Sequence, residues 1–151
     1  MNDTHEIRAL VAPIPGSSIV VPGSVVAEVV EYSEPHPFHN APDWLAGEIA
    51  WSGWKIPLVN MALLAGTDPG SGLSPRHRYL VLKTLSDETS IQHLAVIISG
   101  LPRLHKLSRG NLEDTGSGQV TGVFSHVMIG EQAGLVPDLD ALARTIEQAV
   151  Y

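Results

Sequence analysis

Ala41-Pro42-Asp43-Trp44-Leu45-Ala46-Gly47-Glu48-Ile49-Ala50-Trp51-Ser52-Gly53-Trp54-Lys55-Ile56-Pro57-Leu58-Val59-Asn60-Met61 is the most informative stretch of this 151-residue chain. Glu48–Trp51 and Trp54–Val59 are short apolar runs of strand character, separated by two residues, Ser52-Gly53. A two-residue connection containing Gly is a strong hairpin signal, because Gly takes the positive φ that tight hairpin turns require. The second strand ends at Asn60, a residue that caps a helix N-terminus, and Met61-Ala62-Leu63-Leu64 then reads as a Leu-rich helical turn.

The same arrangement recurs downstream. In Leu135-Val136-Pro137-Asp138-Leu139-Asp140-Ala141-Leu142 a strand again ends in an Asx cap and a helix follows; Asn60 and Asp138 stand 78 residues apart, about half the chain. A second echo lies upstream of each, Val26-x-x-Val29 in the first half and Leu101-x-x-Leu104 in the second. These echoes predict two similar β lobes; the competing reading is chance likeness between short apolar segments.

Gly (14) and Pro (11) divide the rest into short runs rich in Val, Ile and Leu, which predicts many short strands joined by turns. Further candidate strands are Ile7–Val11, Ser18–Val21, Val25–Tyr32, Tyr79–Leu85, Ile91–Ser99, Gln119–Phe124 and Val127–Ile129. Ser86–Ser90 reads as a second hairpin loop. Gly66–Pro75 and Arg109–Gly118 read as loops too rich in Gly and turn residues to hold a regular element. The clearest helix is Leu139–Val150, with Leu139, Leu142, Ala143, Ile146, Ala149 and Val150 on one face and Asp138 at the N-cap.

Composition narrows the function. The formal net charge is −7, which argues against nucleic acid or an anionic membrane surface as partner, since both are held by Lys and Arg. No apolar run reaches the ~20 residues of a membrane span, so no direct membrane insertion is expected, and no basic leader precedes the first strand. Cysteine is absent, which removes disulfides, thiolate nucleophiles and Cys-ligated metals and fits a reducing cytoplasm. A chain this long buries roughly 68–70% of its unfolded surface, so it needs no metal staple.

Catalytic patterns are missing. No Gly-x-Ser-x-Gly elbow occurs, and Gly66–Gly72 is not followed by Gly-Lys-Ser/Thr. Glu113-Asp114 and Asp138/Asp140 are better explained by turns and caps than by paired-carboxylate catalysis. Of seven histidines, His36 and His39 have an i,i+3 spacing, but Pro35 and Pro37 exclude a helix there and a closed zinc site needs four ligands. No catalytic residue, metal site or cofactor is therefore expected. Trp51 should point into its lobe with Ile49, since strand residues alternate faces. Trp54, beside the turn, is either core or an exposed protein-binding anchor.

Ala41–Met61 resembles the signature of the CheW-like adaptor family, with Pro42, Gly47, Gly53, Pro57, Leu58 and Val59 in register without a gap. Ile19–Val29, Leu94–Leu104, Val120–Val123 and Leu135–Leu142 resemble further family segments in the same order, so the likeness spans nearly the whole chain. It implies a mainly β fold, one domain over residues 1–151 made of two intertwined five-stranded SH3-like β-barrels, with a C-terminal helix. It implies a non-enzymatic scaffold that couples the cytoplasmic tip of a methyl-accepting chemoreceptor to the regulatory domain of a CheA-type histidine kinase. The residues it places at partner surfaces are Val26, Glu28, Val29, Ser52, Gly53, Trp54, Leu101 and Leu104.

The departures from the family pattern are Ser52 for an Arg, Asn60 for an Asp, Ala95 for a Gly and Ser99 for an Asp. The family's Arg is expected to pair with the residue corresponding to Glu28, and Ser52 removes that ion pair. The tryptophan-rich segment is similar to the ChpC-like branch of the type IV pilus (twitching motility) chemosensory system. The alternatives are a small-molecule or metal sensor that uses the inter-lobe cleft and His36/His39, and an enzyme with an unrecognised site.

Overall fold

The computed structural model describes residues 6–68, 72–85, 89–108, 110–118 and 120–151. The chain runs β1 (Ile7–Ile14), β2 (Ser17–Pro22), a single 3-10 turn (Gly23–Val25), β3 (Val26–Glu31), β4 (Leu45–Trp51), β5 (Trp54–Val59), α1 (Met61–Ala65), β6 (Arg78–Lys83), β7 (His93–Ile98), β8 (Arg103–Leu107), β9 (Leu112–Ser117), β10 (Val123–Ile129), β11 (Gln132–Pro137) and α2 (Leu139–Val150). The strands form a five-stranded sheet, ordered β3-β6-β7-β5-β4, and a six-stranded sheet, ordered β8-β1-β2-β11-β10-β9. The chain starts in the six-stranded sheet, crosses to build the five-stranded one, and crosses back. The lobes are therefore intertwined, as expected.

The two sheets follow one plan. β5 runs parallel to β7, and β11 runs parallel to β2; the other pairings are antiparallel. The 78-residue spacing is a repeat of hairpin plus helix. Leu45 pairs Val59 as Val123 pairs Pro137, Trp51 pairs Trp54 as Ile129 pairs Gln132, and both hairpins carry a register shift at the same place, Leu45/Gly47 and Val123/Ser125. The caps match as well. Asn60 (φ −97°, ψ 94°) accepts from the Leu63 amide at 3.1 Å, and Asp138 (φ −95°, ψ 93°) accepts from the Ala141 amide at 3.0 Å. Each cap's own amide donates to a carbonyl sixteen residues earlier, that of Trp44 at 2.7 Å and that of Gly122 at 2.8 Å.

Alternation along the strands sorts the apolar side chains into three clusters. Ile49, Ile56, Leu58, Tyr79, Val81, Ala95 and Ile97 fill the first lobe, while Ala9, Val11, Val20, Leu107, Val127 and Ile129 fill the second. The opposite faces of the same strands join α1 and α2 in a shared core between the lobes, including Ile19, Val21, Val59, Leu80, Val96, Ile98, Leu135, Leu142 and Ile146. β6, β7 and β2 are thus buried on both faces, which is why they read as continuous apolar runs. Each sheet curls. β8 and β9 are opposite edges, yet only residues 108–111 connect them.

Several expectations are corrected. Arg109–Gly118 does hold a regular element: β9 spans Leu112–Ser117, recruited as an edge strand by pairing with β10 although nearly all its side chains are exposed; Arg109 lies outside the described residues. That edge gives the second sheet a sixth strand where five were expected. Gln119–Phe124 is not a strand. Val120–Gly122 form a turn, only Val123 and Phe124 belong to β10, and Gln119 lies outside the described residues. β8, Arg103–Leu107, was hidden because it lacks a long apolar run, and of β11, Gln132–Pro137, only the end before the Asp138 cap was read. Parts of the expected Ser86–Ser90 and Gly66–Pro75 loops, residues 86–88 and 69–71, lie outside the described residues. The helix Leu139–Val150 is found with the expected limits.

Asp138→Ala and Asn60→Ala should each lower stability by about 1 kcal/mol in urea unfolding, the usual cost of a lost cap. Gly122→Ala should cost more, about 1–3 kcal/mol. Gly122 has φ +102°, and a Cβ there would lie 2.7 Å from Leu142 Cδ2 and 2.8 Å from Leu64 Cδ2, where the two helices meet.

Candidate functional site

The expected partner residues fall on two edge strands and one turn. Val26, Glu28 and Val29 lie on β3, the edge that follows the first crossover; Leu104 lies on β8, the edge that follows the second, and Leu101 just precedes it. Val29, Leu101 and Leu104 are exposed, at 37%, 75% and 61%. Val26 differs, for it is half-buried and packs on the shared core. The surrounding charge also differs between the edges: Glu28 and Glu31 flank Val29, whereas Arg103 and Lys106 flank Leu104.

Ser52 and Gly53 form the β4–β5 turn, with φ of 50° and 81°. Ser52 is one of two non-Gly residues with positive φ among the described residues, the other being Asn40. Trp51 packs on the Ile49 cluster, as alternation predicts. Its indole Nε1–H donates to Glu28 Oε1 at 3.0 Å, joining the two edge strands of the five-stranded sheet. Glu28, which has no arginine at Ser52 to pair with, thus has a neutral donor one residue earlier on the same hairpin. His93 packs on Trp51 with the two rings tilted at 48° and their centroids 4.8 Å apart. Burial, and then the charge of Lys83 opposite on β6, lower the His93 pKa below its ordinary value. Trp54 stands 71% exposed beyond the turn.

Sequence reasoning missed a cleft of about 360 Å³ beside this turn, lined by Glu48, Trp54, Lys55, Ile56, Pro57, Ser90, Ile91, Gln92, His93 and Tyr151. Tyr151 closes one side. Its hydroxyl donates to Glu48 Oε2, its ring meets Phe38 edge-on at 5.7 Å, and burial followed by the Glu48 bond raises its pKa. Ser90 donates through both its amide (2.7 Å) and its hydroxyl (2.6 Å) to Glu147 Oε2, bonds that lower the Glu147 pKa. The only sequence signal for this cleft was the exposed position of Trp54.

The space between the lobes, the expected cleft of a sensor, is filled by the shared apolar core. His36 and His39 are both exposed, and the His36 backbone bridges to Glu48. Among the described residues no group of three or more His, Asp or Glu side chains is placed to hold a metal, and no helix is long and apolar enough to cross a membrane.

The family model described as CheW-like domain matches residues 8–147. The chain belongs to the CheW-like domain family. No curated protein matches it in sequence. In fold it is similar to the crystal structure of the scaffolding protein TtCheW from Thermoanaerobacter tengcongensis, with a TM-score of 0.70 at 15% identity, over 89% of this chain and 90% of that one. The intertwined two-lobe, mainly β architecture with a C-terminal helix is therefore that of a CheW-like domain.

The His93 geometry fixes a pH dependence. A pKa lowered by folding means that the fold favours the neutral ring, so this contribution is complete above the ordinary value of 6.5 and is lost as pH falls through the lowered one. Glu147, also lowered, acts in a separate window, below its ordinary 4.5. Urea midpoints at about pH 7.5 and about pH 5.5 should therefore differ less in His93→Gln than in the parent chain. Trp51→Phe, which keeps a ring against His93 but removes the N–H to Glu28, should cost about 1 kcal/mol or less at this exposed site.

Proposed function

We propose that this CheW-like chain is a non-enzymatic cytoplasmic adaptor. It couples the cytoplasmic tip of a methyl-accepting chemoreceptor to the regulatory domain of a CheA-type histidine kinase. The observation that carries the reading is the pair of equivalent edges with unequal chemistry. β3 offers Val29 between acidic residues, and β8, with Leu101 before it, offers Leu104 between basic ones. An adaptor has to hold two different partners at once. Two exposed apolar anchors, each inside a charge pattern of opposite sign, supply affinity through desolvated contacts and selectivity through charge. Glu28, Ser52, Gly53 and Trp54 belong to the β3 side of this arrangement. Val26 supports that edge from the core.

The Arg-to-Ser departure at Ser52 tunes which partner is accepted. With Glu28 bonded to Trp51, the β3 edge presents a carboxylate held by a neutral donor, and the apolar contact carries more of the binding. This fits a specialised chemosensory system such as that of type IV pili, the ChpC-like branch, better than a general chemotaxis array.

Leu101→Asp and Leu104→Asp should abolish co-purification with one partner, kinase regulatory domain or receptor tip, and spare the other. Val29→Asp should do the converse. Loss of a ~2 kcal/mol hot spot weakens binding about thirtyfold. Thermal midpoints should stay within a few degrees of the parent, because all three side chains are exposed. Ser52→Arg should strengthen binding to a standard chemotaxis partner. Folded variants that retain both partners unchanged would overturn the assignment.

A further inference from the structure

The second lobe shows what the cleft beside Trp54 lacks. Each lobe has one parallel pair, and in both it is brief: Leu58↔Ala95 and Val59↔Val96 between β5 and β7, and Leu135↔Ile19 between β11 and β2. The hairpin registers make Trp54 the counterpart of Gln132, Ile56 that of Gly134 and Pro57 that of Leu135. One residue back from Leu58↔Ala95, Pro57 stands opposite Leu94, so Leu94 is the counterpart of Ile19 and His93 that of Ser18. In the second lobe the chain fills the space before its parallel pair with its own carboxamide: Gln132 Nε2 donates to the buried Ser18 Oγ at 2.7 Å. Gly134 lets the strands approach there, since a Cβ on it would lie 2.9 Å from Val20 Cγ2. The first lobe has neither device. Ile56 carries a side chain where Gly134 has none, Trp54 is 71% exposed, and the space is the cleft of about 360 Å³.

We infer that this cleft is a binding site for a small, neutral aromatic carboxamide, which does in the first lobe what the Gln132 side chain does in the second. The polar partner is His93. Its ring lines the cleft, and neither ring nitrogen is hydrogen-bonded within the structure. Burial and the nearby Lys83 favour the neutral ring, which keeps one acceptor nitrogen where Ser18 offers its hydroxyl oxygen. An amide N–H can donate to it as Gln132 donates to Ser18. The body of the ligand follows from the walls. Ile56, Pro57 and Ile91 supply apolar surface, and Trp54 and Tyr151 supply rings. The size lies within the range of small-molecule sites. The lining residues that carry charge are one acid, Glu48, and one base, Lys55, so the lining has no net charge and suits a neutral guest.

The test is titration of the full chain with benzamide, followed by two-dimensional NMR and by calorimetry. The control is acetophenone, which has the same shape and carbonyl but a methyl in place of the NH₂ donor. Benzamide should bind saturably and shift the Trp54 indole and His93 resonances. Acetophenone should bind about fivefold more weakly, the effect of losing one neutral hydrogen bond. His93→Phe keeps a ring against Trp51 but removes the acceptor, and should bring benzamide down to the level of acetophenone. Trp54→Gln restores the carboxamide of the second lobe and should weaken benzamide more than Trp54→Ala does, because the new side chain competes for His93. Trp54 is exposed, so an unchanged thermal midpoint verifies folding of both its variants. Equal binding of benzamide and acetophenone to the parent chain, equal effects of Trp54→Gln and Trp54→Ala, shifts scattered away from β5 and β7, or no saturation at millimolar concentration would each overturn the assignment. The readout involves neither kinase nor receptor, so it stands or falls apart from the adaptor reading.

Discussion

The constraint on which the structure depends is that β2, β6 and β7 bury both of their faces. One face of each closes the interior of a lobe, and the other meets α1 and α2 in the shared core between lobes. Neither sheet can leave the other without exposing Ile19, Val21, Leu80, Val96 and Ile98 together, all of them essentially fully buried. At ~25 cal/mol per Å² of apolar surface, separating them is prohibitive, so the two lobes behave as one body. The edges β3, β4, β8 and β9 carry no such burden. Val29 on β3 and Leu104 on β8 are exposed there.

The repeat of a hairpin and helix gives one chain two similar surfaces. The caps, the register shifts and the sixteen-residue amide-to-carbonyl bonds repeat almost without change, because each fixes where a helix leaves its sheet. The differences fall where these constraints end. Trp54 stands where the other lobe has Gln132 beside the turn, and β3 carries acidic residues where β8 carries basic ones. The two halves thus differ in chemistry at positions the scaffold leaves unspecified, as expected when fold and site are separable.

Much of this was legible in the sequence. Asn60 and Asp138 betrayed the repeat because capping is local chemistry, made with an amide three residues further on. Leu139–Val150 was legible from its apolar face. β9 was not, since Leu112–Ser117 is acidic, Gly-containing and solvent-facing, and exists as a strand only through its bonds to β10. At the candidate site, exposure of Val29, Leu101 and Leu104 could not be separated from burial on residue type alone, and Val26 went the other way. The Trp51–Glu28 bond and the cleft depend on how far a sheet curls and where two parallel strands part, and neither is encoded in a short window of sequence.

The crossing of the chain between sheets has a further consequence on the ribosome. The five-stranded sheet is complete once Ile98 has emerged, but its outer face stays uncovered until β11 and α2 follow about forty residues later. At ~5–20 residues per second the nascent chain presents that apolar face for roughly 2–8 s. Through the same interval β2 waits for its neighbour β11, although β8, the neighbour of β1, is made within about ten residues of Ile98. The interlocked order that makes the finished domain indivisible therefore makes its birth the moment of greatest exposure, and ties its yield in the cell to whatever shields a growing polypeptide.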